Sequence, residues 1–285
     1  MKSGYVAIIG LPNVGKSTLL NALVHFKVSA VSPKPQTTRQ RVIGIANSPD
    51  YQMLFQDTPG ILKPRYPLQV VMEKEIDAAL HDADVILLVV EPTADASPKT
   101  LAPSHKSIVV VNKIDKVAKP ELLPVIQFYA QQGFDTVIPV SALKGDGVET
   151  LRAAILTKLP EGQPYYPQDQ LTVQPEKFFV GELIRETIFT SYGEEIPYST
   201  LVEIDEFKEQ EGRKDVIRAV IYVERQSQKA ILIGKGGEAL KRLGSRARVK
   251  IERFLERPVF LELWVKVKDA WRKDEQFIRE RFREQ

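Results

Sequence analysis

The chain has 285 residues, 43% of them hydrophobic and 27% charged, a globular composition long enough for two domains of ordinary size. It has no cysteine, which excludes disulfides and thiolate chemistry, and its longest aliphatic runs, VILLVV (85–90) and IVVV (108–111), fall far short of the roughly 20 residues that span a bilayer. The net charge of +3 is too small to argue for nucleic acid by itself, yet it is unevenly spread: residues 225–250 carry a local +7 and residues 194–215 a local −5.

Up to about residue 160, short runs rich in Val and Ile alternate with helical patterns. Strands are predicted at 5–9, 51–56, 85–91, 108–112 and 136–140, and helices at 15–25, 68–81, 120–132 and 147–158. The strands are apolar on both faces, as strands covered by helices on both sides must be. This rhythm predicts a parallel sheet with crossover helices. The apolar run at 5–10 is shorter than a signal-peptide core with its cleavage site, so the expectation is a soluble chain.

The first strand runs into GLPNVGKS, which fits G-x-x-x-x-G-K-[ST] at Gly10, Gly15, Lys16 and Ser17 and opens a helix. Glycines let backbone N–H groups converge on phosphates at the positive end of that helix. Asn13, Val14, Gly15, Lys16, Ser17 and Thr18 are therefore expected to bind a nucleotide, Lys16 at the β and γ phosphates and the Ser17 hydroxyl on Mg²⁺. Three further segments sit at strand ends, where sheets of this kind bind ligands. FQDTPG offers Asp57, to hold a water on Mg²⁺, and Gly60, whose N–H can sense a γ phosphate. In VVNKID, the Asp115 carboxylate can accept both the N1–H and the 2-amino group of guanine, Lys113 can cover the base and Asn112 can brace the loop. PVSAL brings Ser141, Ala142 and Leu143 to the carbonyl end of the base. Each alone could be a turn; four in order predict a nucleotide site.

LPEGQPYYPQDQLTVQPEK (159–177), with four prolines, reads as a linker. The expected division is a nucleotide-binding domain at 1–160, a linker at 161–177 and a second domain at 178–285. In the second, a helix (178–192) precedes two alternating strands, TLVEIDEFKE and DVIRAVIYVER; a helix-loop-helix and a third strand, VFLELWVKVK, follow. The loop, GKGG at Gly234, Lys235, Gly236 and Gly237, lacks the Ser/Thr and the spacing of a second P-loop. It matches the G-x-x-G of KH domains, which clamps the backbone of about four unpaired nucleotides. Lys229, Lys241, Arg242 and Arg246 surround it and are expected to meet RNA. In the last strand Trp264 shares a face with Lys266 and Lys268; it could stack on a base, but a helix-covered sheet face is the expectation.

GLPNVGKST, DTPG, NKID and SAL resemble the translation-factor class of GTPases, and PQTTRQR (35–41) resembles its first switch. That likeness implies that Thr38, or failing it Thr37, binds Mg²⁺. Ile61 and Leu62 stand where Ras-like proteins carry a water-orienting Gln, so slow turnover is expected. Asn13 either braces the loop or, as in related GTPases with Asn there, binds K⁺; with Lys16, Thr38 and Gly60 it completes the expected catalytic set. With VERQSQKAILIGKGG and LELWVKVKDAW added, essentially the whole chain is similar to the bacterial Era GTPase family.

The resemblance implies an α/β P-loop NTPase domain with a mostly parallel sheet, followed by a small α+β KH domain of the prokaryotic type (type II) with a three-stranded sheet. It further implies GTP/GDP, Mg²⁺ and K⁺ as ligands, and small-subunit ribosomal RNA near its 3′ end and the 30S subunit as partners. Also implied are a role in ribosome biogenesis in the cytoplasm, a weak peripheral contact at the inner membrane, and a monomer. Two rivals are an assembly factor that binds GTP but scarcely hydrolyses it, and an RNA-modifying enzyme. The second would need a catalytic cluster, whereas His25, His81 and His105 are scattered.

Overall fold

The structure, a computed structural model, describes residues 1–92 and 102–283. It divides into two compact units, Met1–Pro64 with Gln69–Val173, and Arg65–Leu68 with Gln174–Gln285. No described helix is long and apolar enough to cross a membrane.

The first unit runs β1 (Lys2–Ile9), α1 (Lys16–Val24), β2 (Val42–Ser48), β3 (Tyr51–Asp57), α2 (Pro67–Asp82), β4 (Val85–Val90), β5 (Ser107–Val111), α3 (Lys119–Gln131), β6 (Val137–Pro139) and α4 (Val148–Lys158). Its six strands lie in the order β2-β3-β1-β4-β5-β6. Every residue of β4 and β5 is buried, as their aliphatic composition requires of strands covered on both faces. Strand order reverses on either side of β1, so its C-terminal end opens into the crevice where doubly wound sheets take ligands.

Strand β2 is absent from the expected set, and it pairs antiparallel with β3 along an otherwise parallel sheet. VIGIANS has only a weak strand pattern because Gly44 interrupts it. A Cβ there would lie 2.9 Å from Leu20 and 3.0 Å from Val24 of α1, so the glycine lets the helix approach the edge of the sheet.

The proline-rich stretch expected to be a linker from 161 to 177 is in large part fastened to the first unit. Glu161 bridges Lys2 and Thr172 bridges Gly44, and the Ile45 N–H donates to Leu171 O at 2.8 Å. Gln52, fully buried, supplies the clasp. Its Oε1 accepts from the Tyr165 and Tyr166 N–H groups at 2.6 and 3.0 Å, and its Nε2 donates to Tyr166 O at 2.8 Å. The prolines and glycine leave the stretch without regular structure of its own, and its backbone groups find partners on the sheet beside it.

The second unit runs α5 (Glu176–Ser191), α6 (Ile196–Ser199), β7 (Leu201–Lys208), β8 (Asp215–Val223), α7 (Gln226–Ile233), α8 (Glu238–Leu255), β9 (Val259–Val267) and α9 (Glu275–Arg283). β8 pairs antiparallel with β7 and parallel with β9. Leu243, Ala247, Ile251 and Leu255, four residues apart, form the buried stripe of α8. They pack with Ile184 and Ile188 of α5 on Ile217, Ala219 and Ile221 of β8. The opposite face of the sheet departs from expectation: Trp264 and Phe260 are 56% and 52% exposed, so no helix covers Trp264.

Candidate functional site

The turn after β1 is shaped by backbone that few residues tolerate. Gly15, with φ 98°, caps the start of α1, and a Cβ on it would lie 2.3 Å from Asn112 Nδ2. Lys16 follows at the first turn, 6% exposed, and its Nζ donates to Gly10 O and Leu11 O at 3.1 and 2.9 Å. Burial pushes the Lys16 ammonium down to about 8, against the pull of the Asp57 carboxylate. A buried cation bonded to two loop carbonyls is ready for an anion.

Asp57, at the end of β3, is fully buried, and burial raises its pKa although hydroxyls and Lys16 oppose the rise. Its Oδ2 accepts from Ser17 Oγ at 2.6 Å, Ser29 Oγ at 2.7 Å and Thr38 Oγ1 at 3.3 Å. Ser17 and Thr38 also meet each other at 3.0 Å. Thr37 turns the other way, its hydroxyl donating to Lys34 O at 2.8 Å. Asp57 Oδ1 is buried with no hydrogen-bond partner among the described residues.

That orphaned oxygen beside two hydroxyls fits a hard cation such as Mg²⁺. No group of three or more acidic, imidazole or thiol side chains that could hold a metal occurs among the described residues. The remaining ligands would therefore be water and nucleotide oxygens, the usual habit of Mg²⁺. Gly60 lies against the phosphate loop: a Cβ there would come within 2.8 Å of the Pro12 backbone, and the next residue's N–H donates to Gly10 O at 3.0 Å.

Asn112, 1% exposed, ties three segments together. Its Nδ2 donates to Val14 O at 2.8 Å and its Oδ1 accepts the Ala142 N–H at 3.0 Å. Lys113 is left-handed at φ 65°; its Nζ donates to Asn13 O at 2.5 Å and also meets the Glu91 carboxylate. Ser141 Oγ donates to Asp115 Oδ1 at 2.5 Å, and this hydrogen bond holds the Asp115 carboxyl below its ordinary range. Asn13, left-handed at φ 66°, braces the loop through Nδ2 to Pro33 O at 3.0 Å.

A cavity of about 550 Å³ is lined by Asn13, Gly15, Lys16, Ser17, Thr18, Thr38, Gly60, Asn112, Lys113, Asp115, Ala142 and Leu143. Gly10, Val14, Asp57 and Ser141 support it from beneath through the bonds just given. Sequence reasoning missed Glu91, Lys116 and the stretch 30–33 in its wall, and Ser29 behind it. Glu91, directly after the buried strand β4, was the one of these with a readable signal.

In the second unit Gly234, Gly236 and Gly237 all have positive φ, at 72°, 60° and 82°. A Cβ on Gly234 would lie 2.6 Å from that of Ala239, whereas Gly236 and Gly237 face open space, so a chain can approach them closely. Lys235, Lys241, Arg242 and Arg246 are exposed around this turn and Lys229 is half-buried. A groove of about 390 Å³ is lined by Gly237, Leu240, Lys241, Gly244, Ser245, Arg248, Leu261, Glu262 and Leu263. The small residues Gly244 and Ser245 were not foreseen; they fall about two turns of α8 beyond the loop and open the groove over β9.

Together these features define a P-loop GTPase unit followed by a KH unit. Residues 5–122 match the 50S ribosome-binding GTPase family and residues 195–272 the KH domain family. GTPase Era of Geotalea uraniireducens (strain Rf4) is 47% identical over 98% of this chain and 97% of its own. The GTPase ERA-like chloroplastic protein of Arabidopsis thaliana is 44% identical over 98% of this chain and 68% of its own. The crystal structure of a single-residue variant of Aquifex aeolicus Era bound to GDP·AlF4⁻ superposes with a TM-score of 0.94 at 41% identity, covering 99% of both chains. Era in complex with MgGDPNP and nucleotides 1506–1542 of 16S ribosomal RNA also gives 0.94, at 42% identity over 99% of this chain and 98% of that one. The chain belongs to the Era GTPase family.

Proposed function

We propose that this GTPase is a switch that binds small-subunit ribosomal RNA near its 3′ end through the loop at 234–237 and acts in maturation of the 30S subunit in the cytoplasm. The observation that carries this reading is the glycine turn, open on Gly236 and Gly237 and ringed by exposed Lys235, Lys241, Arg242 and Arg246. It occurs in a chain 42% identical over nearly its whole length to an Era bound to 16S ribosomal RNA.

The chemistry follows from the first cavity. The N–H groups of Gly15 to Thr18, at the N-terminus of α1, and the Lys16 ammonium hold the β and γ phosphates. Ser17 and Thr38 hydroxyls, with Asp57 through a water, would hold Mg²⁺, which when bound supplies positive charge at the phosphate oxygens. Asp115 and Ser141 read the guanine edge and the Ala142 N–H faces its carbonyl. Ile61 and Leu62 cannot orient the attacking water, so positioning by Lys16, Thr38 and Gly60 sets a slow rate. Asn13 Oδ1 is the group in the loop suited to K⁺, in competition with the loop-bracing role its amide nitrogen already has. The γ phosphate orders Thr38 and Gly60, and loss of it releases them.

The test is a titration of a single-stranded fragment from the 3′ end of small-subunit ribosomal RNA into the intact protein with GDP or a non-hydrolysable GTP analogue. Scrambled RNA serves as control, and hydrolysis is followed in K⁺ and in Na⁺. Sequence-selective binding that depends on the nucleotide is expected. Binding indifferent to both would overturn the RNA reading, hydrolysis no faster in K⁺ would leave Asn13 a loop brace, and undetectable single-turnover hydrolysis would favour the non-hydrolysing assembly factor.

A further inference from the structure

Three hydroxyls from three separate segments converge on Asp57 Oδ2, and only two of them have work to do at the metal. Ser17 and Thr38 turn their oxygens to Mg²⁺ in the reading above. Ser29 has no such task, yet it is 3% exposed and donates to the same carboxylate oxygen at 2.7 Å. Its place is not left to chance. Asn21 Oδ1 accepts the N–H groups of both Val28 and Ser29, at 3.0 and 2.9 Å, and Asn21 Nδ2 donates back to Ser29 O at 2.9 Å. This clasp uses the acceptor and the donor of the amide together, a combination that Asp cannot supply. Asn21 stands four residues after Ser17 on α1, so both lie on one face of the helix that carries the phosphate loop.

We infer that Ser29, clasped by Asn21, is a positioning residue for the Mg²⁺ site: it anchors Asp57 Oδ2 and thereby aims the partnerless Oδ1 at the metal-bound water. Ser17 and Thr38 would share their oxygens between the cation and Asp57, whereas Ser29 serves the carboxylate alone and keeps it from rotating. A fully buried carboxylate with one oxygen fastened and one orphaned is what this division of labour requires. Outer hydrogen-bond partners of this kind orient metal-binding groups and typically change metal affinity by about 10–100-fold when removed. The clasp also ties the segment leading into the first switch to α1, so α1 and Asp57 are held in one frame.

The inference rests on the Mg²⁺–nucleotide reading of the site, and one titration separates the two. A fluorescent GDP analogue is bound to the full-length protein across a range of Mg²⁺ concentrations and, separately, in EDTA. In the unaltered protein Mg²⁺ strengthens binding; if it does not, the metal-site reading itself fails. Ser29→Ala is expected to raise the Mg²⁺ concentration at half-effect by about 10–100-fold while affinity in EDTA stays the same, and Ser29→Thr, which keeps the hydroxyl, restores the unaltered value. Ser29→Cys keeps the side chain in place with a weaker donor and reads the same shift if the alanine variant does not fold. An unchanged Mg²⁺ midpoint in these variants, or an equal loss of affinity with and without Mg²⁺, would overturn the assignment.

Discussion

In the proposed reading of the cavity, the single side chain of Asp115 selects the base. Its Oδ1 takes the Ser141 hydroxyl at 2.5 Å, and that bond keeps the carboxylate charged and fixed in direction. Guanine offers two donors to such a group and adenine does not. Replacing it with Asn exchanges one acceptor for a donor that faces a donor. Asp115→Asn is expected to weaken GTP binding about 10²–10⁴-fold, the loss of two charge-assisted hydrogen bonds, and to prefer xanthosine triphosphate. Competition binding with the two nucleotides measures this, and retained GTP preference would refute the base assignment. Residues of this kind are legible because their chemistry is tied to a motif: Lys16 stands at a helix start, and Asp57, Asn112 and Asp115 at or just beyond a strand end, each in a recognisable string. Ser29 was not, since a lone Ser carries no pattern and acquires meaning only from the group it meets, while Glu91 offered only its place at the end of β4.

At the level of elements, the proposed RNA contact rests on the backbone shape of the turn between α7 and α8. Gly236, at φ 60° with nothing within 4 Å of the site of a Cβ, can accept Asp, which tolerates left-handed backbone better than most residues. Gly236→Asp places a negative charge where a phosphate would lie and leaves the stripe Leu243, Ala247 and Ile251 untouched. RNA affinity is expected to fall about tenfold or more, with GTP hydrolysis unchanged and the melting temperature lowered only slightly by the left-handed backbone. Electrophoretic mobility shift beside a phosphate-release assay tests it, and unaltered RNA binding would detach the loop from the function. The strands and helices of both units were readable from period-two and aliphatic runs. β2 escaped because Gly44 interrupts its pattern, and the attachment of the stretch expected to be a linker at 161–177 escaped because proline content reports local irregularity, not what the backbone bonds to. Trp264 was placed under a helix because an aromatic flanked by lysines fits either a covered or an open face.

At the scale of the whole molecule, each unit has buried apolar clusters of its own. The second unit closes over Ile184, Ile217 and Ile251. In the first, Ile9, Val109 and Val111 meet Val125 and Tyr129 of α3. Tyr129 is 3% exposed, and burial pushes its phenol up to about 12. In the unfolded chain the phenol ionises near pH 10. Between these values the folded state holds the proton and the unfolded state does not, so the stability Tyr129 contributes is complete below about pH 10 and is lost as pH rises toward 12. Tyr129→Phe is expected to flatten this alkaline loss, by up to about 3 kcal/mol at the top of the window. Denaturant titrations at pH 9 and pH 11.5 measure the difference, and an equal fall in both proteins would show that the phenol does not govern it.

By itself the sequence determined the two units, the nucleotide site and the second loop. These depend on local chemistry: glycine where φ must be positive, a lysine at a helix start, a carboxylate at a strand end, aliphatic runs where strands are covered twice. Tertiary structure alone decided that Thr38 and not Thr37 faces Asp57, that Ser29, clasped by Asn21, also donates to Asp57, that the proline-rich stretch is stapled to the sheet by Gln52, and that Trp264 is open to solvent. Each of these turns on which groups from distant positions meet across a sheet or helix, and a one-dimensional pattern records what a residue can do without recording what stands opposite it.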